Sequence, residues 1–99
     1  MLYAIIAEDA PNSLEKRLEC RPAHLARLTE LKNQGKLVLA GPFPAIDSID
    51  PGPAGYSGSL IVAEFADLET ATKWANDDIF VSQGVYARVI VKPFRQALP

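Results

Sequence analysis

The chain has 99 residues, 48% of them hydrophobic and 22% charged, and a formal net charge of -2 at pH 7. These values are typical of one globular domain spanning residues 1–99. The acidic balance argues against nucleic acid as a partner, because phosphate binding needs a basic surface. A single cysteine, Cys20, excludes an internal disulfide. No apolar run approaches the roughly 18 residues of a membrane span, and the N-terminus lacks a basic signal segment. We therefore expect a cytoplasmic protein without membrane contact.

Two short apolar segments, LYAIIAE at residues 2–8 and KLVLAG at residues 36–41, predict the first two strands. The residues between them carry leucines at helical spacing and end at Gly35, a residue type that suits the end of a helix. Asn12 and Glu15 have the spacing of a capping box at the start of this helix.

Pro22 lies inside this helical pattern. Because proline lacks an amide hydrogen and clashes with the preceding turn, it either kinks a helix or begins a new one. We therefore predict two helical pieces with a break near Cys20–Arg21.

The second half of the chain predicts a long loop, a strand, a helix and a final strand. Residues 41–59 hold four of the eight prolines and four of the six glycines, so we expect an irregular segment of the kind that often carries function. SLIVAEF at residues 59–65 and VYARVIVKPF at residues 85–94 predict strands. Asp67 has the position of an N-cap for the helix LETATKWAND.

The resulting element order is βαββαβ, which is the ferredoxin-like split βαβ fold of the α+β class. In this fold both helices cover one face of an antiparallel sheet. A solvated face should alternate apolar and polar residues, yet both faces of the first and third predicted strands are apolar. A second copy of the chain is the simplest cover for the free face, which predicts a homodimer of the dimeric α+β barrel type.

His24 is the only histidine of the chain. It shares one helical stripe with Arg17, Arg21, Leu28 and Leu31, which places it at the edge of the predicted core. It is either a boundary histidine without a role or a functional group whose protonation its surroundings control. One histidine cannot form a three-histidine zinc site, although His24 with carboxylates could bind a metal weakly. We expect neither a metal nor a cofactor.

Asp77 and Asp78 lie at the end of the second predicted helix. Carboxylates there face the negative end of the helix dipole, so local stability does not explain them. They form either a solvated acidic turn or a partner for His24, since a carboxylate orients an imidazole and stabilises its protonated form. Both helices pack on the same sheet face in the predicted fold, which makes such a pair geometrically possible.

Several segments, in order and spacing, resemble the YciI-like (YCII-related) family along essentially the whole chain. They are the opening LYAIIAEDAPNSLEKR, RPAH from Arg21 to His24, the segment from Leu39 to Pro42, AGYSGS, WANDDIF and the closing GVYARVIVKPF. The resemblance implies a ferredoxin-like fold, a dimer built through the sheets, and an active site centred on a histidine and an aspartate.

The histidine of this resemblance corresponds to His24. The aspartate belongs to an Asp-Pro-aromatic motif and corresponds to Asp78, but Ile79 stands where the family has proline, which leaves Asp77 as the alternative. Chemistry associated with the family is lyase-like removal of a leaving group from a small cyclic compound.

We therefore expect a small-molecule enzyme with His24 as general acid or base and Asp78 as its orienting partner, an arrangement suited to elimination or isomerisation. The residues expected to hold the substrate are Arg21, Gly41, Pro42 and Ser59. The alternative is a non-catalytic dimer that binds a small ligand or a protein, with His24 and Asp78 as a buried polar pair.

Overall fold

A computed structural model describes residues 1–99. Its elements are β1 (Leu2–Asp9), α1 (Leu14–Asn33), β2 (Leu37–Pro44), a 3-10 turn (Gly52–Ala54), β3 (Tyr56–Glu64), α2 (Leu68–Asn76), α3 (Ile79–Ser82) and β4 (Tyr86–Phe94). The four strands form one antiparallel sheet in the order β2-β3-β1-β4. This is the ferredoxin-like βαββαβ fold with one short added helix, α3, so the predicted α+β fold class is confirmed. None of the helices combines the length and apolar character needed to cross a membrane.

The main core lies between the helices and one face of the sheet. Period-2 alternation places the buried side chains of β1 and β3 on this face, where Ile5 pairs with Ile61. The helical period of α1 brings Leu28 and Leu31 onto them, and Ala71 of α2 joins the same cluster. Burying each leucine side chain stabilises the fold by about 1.5–3 kcal/mol.

The opposite face of the sheet, here called the outer face, has no helix above it and is apolar. Leu39, Phe43 and Phe94 lie on it with 48, 38 and 40% of their surface exposed, and Leu60 and Ile90 are half-buried there. The prediction that both sheet faces are apolar is therefore confirmed.

Helix α1 runs without interruption through Pro22, so the predicted break near Cys20–Arg21 is wrong. Proline removes the amide that would bond the carbonyl of Leu18 one turn earlier. Both residues lie on the exposed side of the helix, where that carbonyl is accessible to solvent. Packing of the opposite side holds the helix together; its buried residues are Arg17, Cys20, His24, Leu28 and Leu31.

The two long helices begin differently. The predicted capping box at α1 is wrong, because the N-cap is Ser13, whose hydroxyl donates to the Ala10 carbonyl at 2.7 Å and caps no amide. Asn12 instead adopts a left-handed conformation (φ 58°) that asparagine tolerates in turns. At α2 the prediction is confirmed, since the Asp67 side chain accepts a hydrogen bond from the Thr70 amide at 2.7 Å.

The irregular segment is shorter than predicted. Strand β2 continues to Pro44 and β3 begins at Tyr56, so residues 45–55 rather than 41–59 connect the strands. Prolines are accepted here because β2 is an edge strand, where a missing amide hydrogen needs no ladder partner. The predicted site residues Gly41 and Pro42 therefore belong to a strand.

Candidate active site

His24 of α1 and Asp78, which precedes α3, form a buried pair. His24 Nδ1 lies 2.7 Å from Asp78 Oδ2, and the two side chains are 7% and 2% exposed. Asp78 Oδ1 accepts a hydrogen bond from the Phe80 amide at 3.0 Å, so the carboxylate caps α3. Asp78 begins a new helix, where a carboxylate is favoured, so the expectation that local stability does not explain this residue is wrong. Asp77 is exposed at the end of α2, and Asp78 is the residue beside His24.

Two aromatic rings hold the imidazole of His24 in place. The Phe80 ring stacks on it with centroids 4.0 Å apart, and the Tyr86 ring meets it edge-on at 6.3 Å. A carboxylate only accepts hydrogen bonds, so the neutral imidazole carries its hydrogen on Nδ1, towards Asp78. His24 Nε2 makes no hydrogen bond within the chain, and its lone pair is free for a ligand.

Arg17 forms a second buried polar centre next to this pair. Its Nε and Nη2 donate to the two carboxylate oxygens of Asp9 at 2.7 and 3.0 Å. Nη2 also donates to the Gly58 carbonyl at 3.0 Å and to the Ser59 hydroxyl at 2.7 Å. Nη1 has no partner within the chain, which leaves one donor edge of the guanidinium for a ligand.

Arg17 shares the helical stripe of His24 but was not among the predicted site residues, and neither was Asp9. A signal for both was present, because alternation along β1 puts Asp9 on the same face as Ala7, which is buried. A carboxylate on the core side of a strand needs a cation. Arg17 is the stripe residue whose side chain meets it.

Arg27 adds positive charge on the far side of Asp78. Its Nη1 lies 3.7 Å from Asp78 Oδ2, and its Nη2 donates to the Trp74 carbonyl at 2.6 Å. The guanidinium also lies over the Trp74 ring, 4.2 Å from the centroid. Asp78 therefore lies between an imidazole and a guanidinium.

A cavity of about 140 Å³ opens beside His24. All four residues predicted to hold the substrate line it, together with two of the polar groups described above; these residues are Arg17, Arg21, His24, Gly41, Pro42 and Ser59. Arg21 is exposed, so its side chain stands at the rim rather than in the buried stripe. A larger cavity, of about 330 Å³, lies beside Trp74 and contains none of the predicted site residues.

Metal ligands are not grouped in this structure. No cluster of three or more histidine, cysteine, aspartate or glutamate side chains has the spacing to hold a metal ion. The chemistry available to the cavity from the chain itself is that of an imidazole, a guanidinium and a hydroxyl.

Tyr86 carries a buried hydroxyl without a hydrogen-bond partner. The residue is 7% exposed, and its ring packs edge-on against Phe80 with centroids 5.3 Å apart. Burial raises the pKa of the Tyr86 phenol to about 12; the nearby Ser59 hydroxyl opposes this effect and the Asp78 carboxylate adds to it. The Ser59 hydroxyl is a close neighbour of this phenol, but the geometry between them falls short of a hydrogen bond.

The stability of the protein should fall as the pH rises from about 10 to about 12. An unfolded tyrosine titrates near pH 10, whereas folded Tyr86 keeps its proton to about pH 12. Its stabilisation is therefore complete below about pH 10 and is lost through this window, by about 2–3 kcal/mol. Urea unfolding at about pH 9 and about pH 11.5 measures the loss. Tyr86→Phe should show a smaller loss than wild type or the buried control Tyr3→Phe; equal losses in all three would contradict the expectation.

Comparison with known proteins agrees with this structure along nearly the whole chain. The model of the YCII-related domain family matches residues 1–95. The chain is 57% identical to Protein YciI of Escherichia coli O6:H1 over 96 residues, which cover 97% of this chain and 98% of that protein. It is 52% identical to an uncharacterized protein of Haemophilus influenzae, with the same coverage of both chains.

One solved structure is also similar over almost its full length. It is the 5-chloro-2-hydroxyhydroquinone dehydrochlorinase TftG of Burkholderia phenoliruptrix AC1100, in complex with 2,5-dihydroxybenzoquinone. The TM-score is 0.85 at 28% sequence identity, covering 98% of this chain and 96% of that one. From the family match and these identities, we conclude that the chain belongs to the YCII-related family.

Proposed function

We propose that this protein is a small-molecule enzyme in which His24 acts as general base or acid and Asp78 orients it. The observation that supports this most strongly is the 2.7 Å contact between Nδ1 and the carboxylate. That contact keeps the ring hydrogen on Nδ1 and leaves the Nε2 lone pair for a ligand in the cavity that His24 lines. General acid–base catalysis of this kind contributes about 10²–10⁴-fold.

The polar groups around the cavity favour a substrate with an acceptor oxygen. Arg17 has a free donor at Nη1, and Ser59 carries a hydroxyl at the same wall. Arg21 adds a second positive charge at the rim, while Gly41 and Pro42 supply a wall without bulky polar side chains. A carbonyl or oxyanion of the substrate is the group that these donors would bind.

The substrate class that we propose is a single oxygenated ring, and the reaction is an elimination. The similar structure of TftG is that of a dehydrochlorinase with a bound dihydroxybenzoquinone. Cavities of about 150 Å³ accommodate one six-membered ring, and the cavity here is about 140 Å³. In the proposed step Nε2 of His24 takes a proton from the substrate while the leaving group departs with the bonding electrons. Arg17 stabilises the negative charge that develops on the ring oxygen.

Binding and turnover measurements test this function. Calorimetry should detect binding of 2,5-dihydroxybenzoquinone, and the protein should release chloride from 5-chloro-2-hydroxyhydroquinone faster than a protein-free solution does. His24→Gln is the catalytic control, because it keeps much of the side-chain volume but removes the base. Binding without turnover would support the non-catalytic alternative, and absence of both would contradict the proposed substrate class.

We also propose that two chains pair through the outer face. Its exposed apolar side chains include Leu39, and an uncovered apolar sheet face is best buried against a second copy. Sedimentation equilibrium at micromolar concentration should give twice the mass of one chain. Leu39→Lys should shift the protein towards monomer, whereas Leu18→Lys should not, because Leu18 is 56% exposed on α1, away from the sheet. A wild-type monomer would contradict the pairing.

A further inference from the structure

Tyr86 bears the only buried side-chain oxygen of the chain that lacks a hydrogen-bond partner. Leaving a buried polar group unpaired costs about 1–3 kcal/mol, so such a group calls for an explanation. The pairing of β1 with its two neighbouring strands shows that the Ser59 side chain lies on the same sheet face as Tyr86. Tyr86 pairs with Asp9 on one side of β1, and Ser59 pairs with Ala7 on the other, so both side chains lie on the helix-covered face.

Ser59 has hydrogen-bonding capacity to spare. Its oxygen accepts one bond, from Arg17 Nη2 at 2.7 Å, and its hydrogen goes to no acceptor within the chain. A hydroxyl has two acceptor lone pairs and one donor hydrogen. One lone pair and the hydrogen of Ser59 are therefore unassigned, and the unpartnered phenol lies next to them.

We infer that Tyr86 is a positioning residue that donates its phenol hydrogen to Ser59, in part of the population of the free protein and fully when the cavity is occupied, which turns the Ser59 hydroxyl into an obligatory donor. With both lone pairs of Ser59 taken, by Arg17 and Tyr86, its own hydrogen has only the cavity to point to. This inference rests on the proposed function, because it assigns the polarity of that site. It specifies that the ligand atom at Ser59 is a carbonyl or oxyanion oxygen and not a hydroxyl or amine hydrogen.

A ligand-free experiment tests the bond between the two hydroxyls. If Tyr86 donates to Ser59 in part of the population, Tyr86→Phe should raise the unfolding equilibrium constant by about 2- to 10-fold in wild type. In the Ser59→Ala background the same change should raise it little or not at all. If Ser59→Ala does not fold, the test is the comparison of the unfolding equilibrium constants of Tyr86→Phe and the buried control Tyr3→Phe. A Tyr86→Phe protein as stable as wild type or more stable would overturn the inference, because a buried phenol hydroxyl that makes no hydrogen bond destabilises the folded protein.

A second experiment tests the polarity of the site with 2,5-dihydroxybenzoquinone as the probe. Tyr86→Phe should weaken its binding by about 2- to 10-fold in wild type and leave it unchanged in Ser59→Ala, since Tyr86 acts only through Ser59. Tyr3→Phe should not alter binding. Equal weakening in both backgrounds would overturn the inference. If wild type binds no probe, the proposed substrate class fails, while the ligand-free cycle still decides whether Tyr86 bonds to Ser59.

Discussion

Replacing Arg17 by methionine should destabilise the protein by about 3–5 kcal/mol, because it leaves a buried carboxylate without its cation. The Arg17 and Asp9 side chains are 6% and 3% exposed, and Nε lies 2.7 Å from Oδ2. Methionine preserves much of the apolar stem of arginine, so the loss measures the ion pair, its hydrogen bonds and the contacts of the guanidinium with the Tyr56 and Phe80 rings.

Arg88→Met is the matched control for this experiment. Arg88 pairs with Glu8 at 3.7 Å, but these side chains are 62% and 60% exposed. Solvent-exposed pairs contribute about 0–1 kcal/mol, so this variant should remain close to wild type in urea unfolding. The double variant with Asp9→Leu should recover part of the Arg17→Met loss, since it removes the stranded charge. Equal effects of the two single arginine variants would contradict the buried ion pair.

Asp78→Asn should lower turnover about as far as His24→Gln does, by about 10²–10⁴-fold. The oxygen of the new asparagine must occupy the position of Asp78 Oδ1, because that atom accepts a hydrogen bond from the Phe80 amide at 3.0 Å. The new amide nitrogen therefore faces His24 Nδ1, and as a donor it requires Nδ1 to accept. The ring hydrogen moves to Nε2, which then has no lone pair to offer as a base.

Nitrogen-15 NMR of the imidazole tests this prediction without assignment, because His24 is the only histidine. At a pH where the ring is neutral, the hydrogen should reside on Nδ1 in wild type and on Nε2 in Asp78→Asn. Chloride release from 5-chloro-2-hydroxyhydroquinone gives the rates. Asp77→Asn, an exposed neighbour, should change neither the tautomer nor the rate. A variant that keeps wild-type turnover with the hydrogen on Nε2 would refute His24 as the base.

The fold was predictable because its information is local. Period-2 and period-3.6 patterns show the strands and helices, and Asp67 marks the start of α2. Errors arose where tertiary structure overrides a local signal. Pro22 breaks an isolated helix, but it is tolerated in α1 because the opposite face is packed. Pro42 indicates a loop in general, but it is accepted on a strand at the edge of the sheet.

The candidate site was predictable in part for the same reason. His24 stands out because it is the only histidine and lies on the helical stripe of α1. The cavity is lined by His24, Ser59 and the β2 residues Gly41 and Pro42. The partnership of Arg17 with Asp9 depends on how α1 crosses the end of β1, which periodicity does not specify. The orientation of the Tyr86 hydroxyl likewise depends on packing against Phe80, and no sequence pattern encodes it.

His24, Asp78 and Phe80 form a closed circuit of contacts. The imidazole bonds to the carboxylate, the carboxylate bonds to the Phe80 amide, and the Phe80 ring stacks back on the imidazole. Because two of these three residues, Asp78 and Phe80, lie at the start of α3, a local opening of this four-residue helix removes both of them from His24 in one cooperative event. With His24 as the proposed base, we therefore expect activity to be lost on heating or in mild denaturant with the opening free energy of α3, before the sheet unfolds globally.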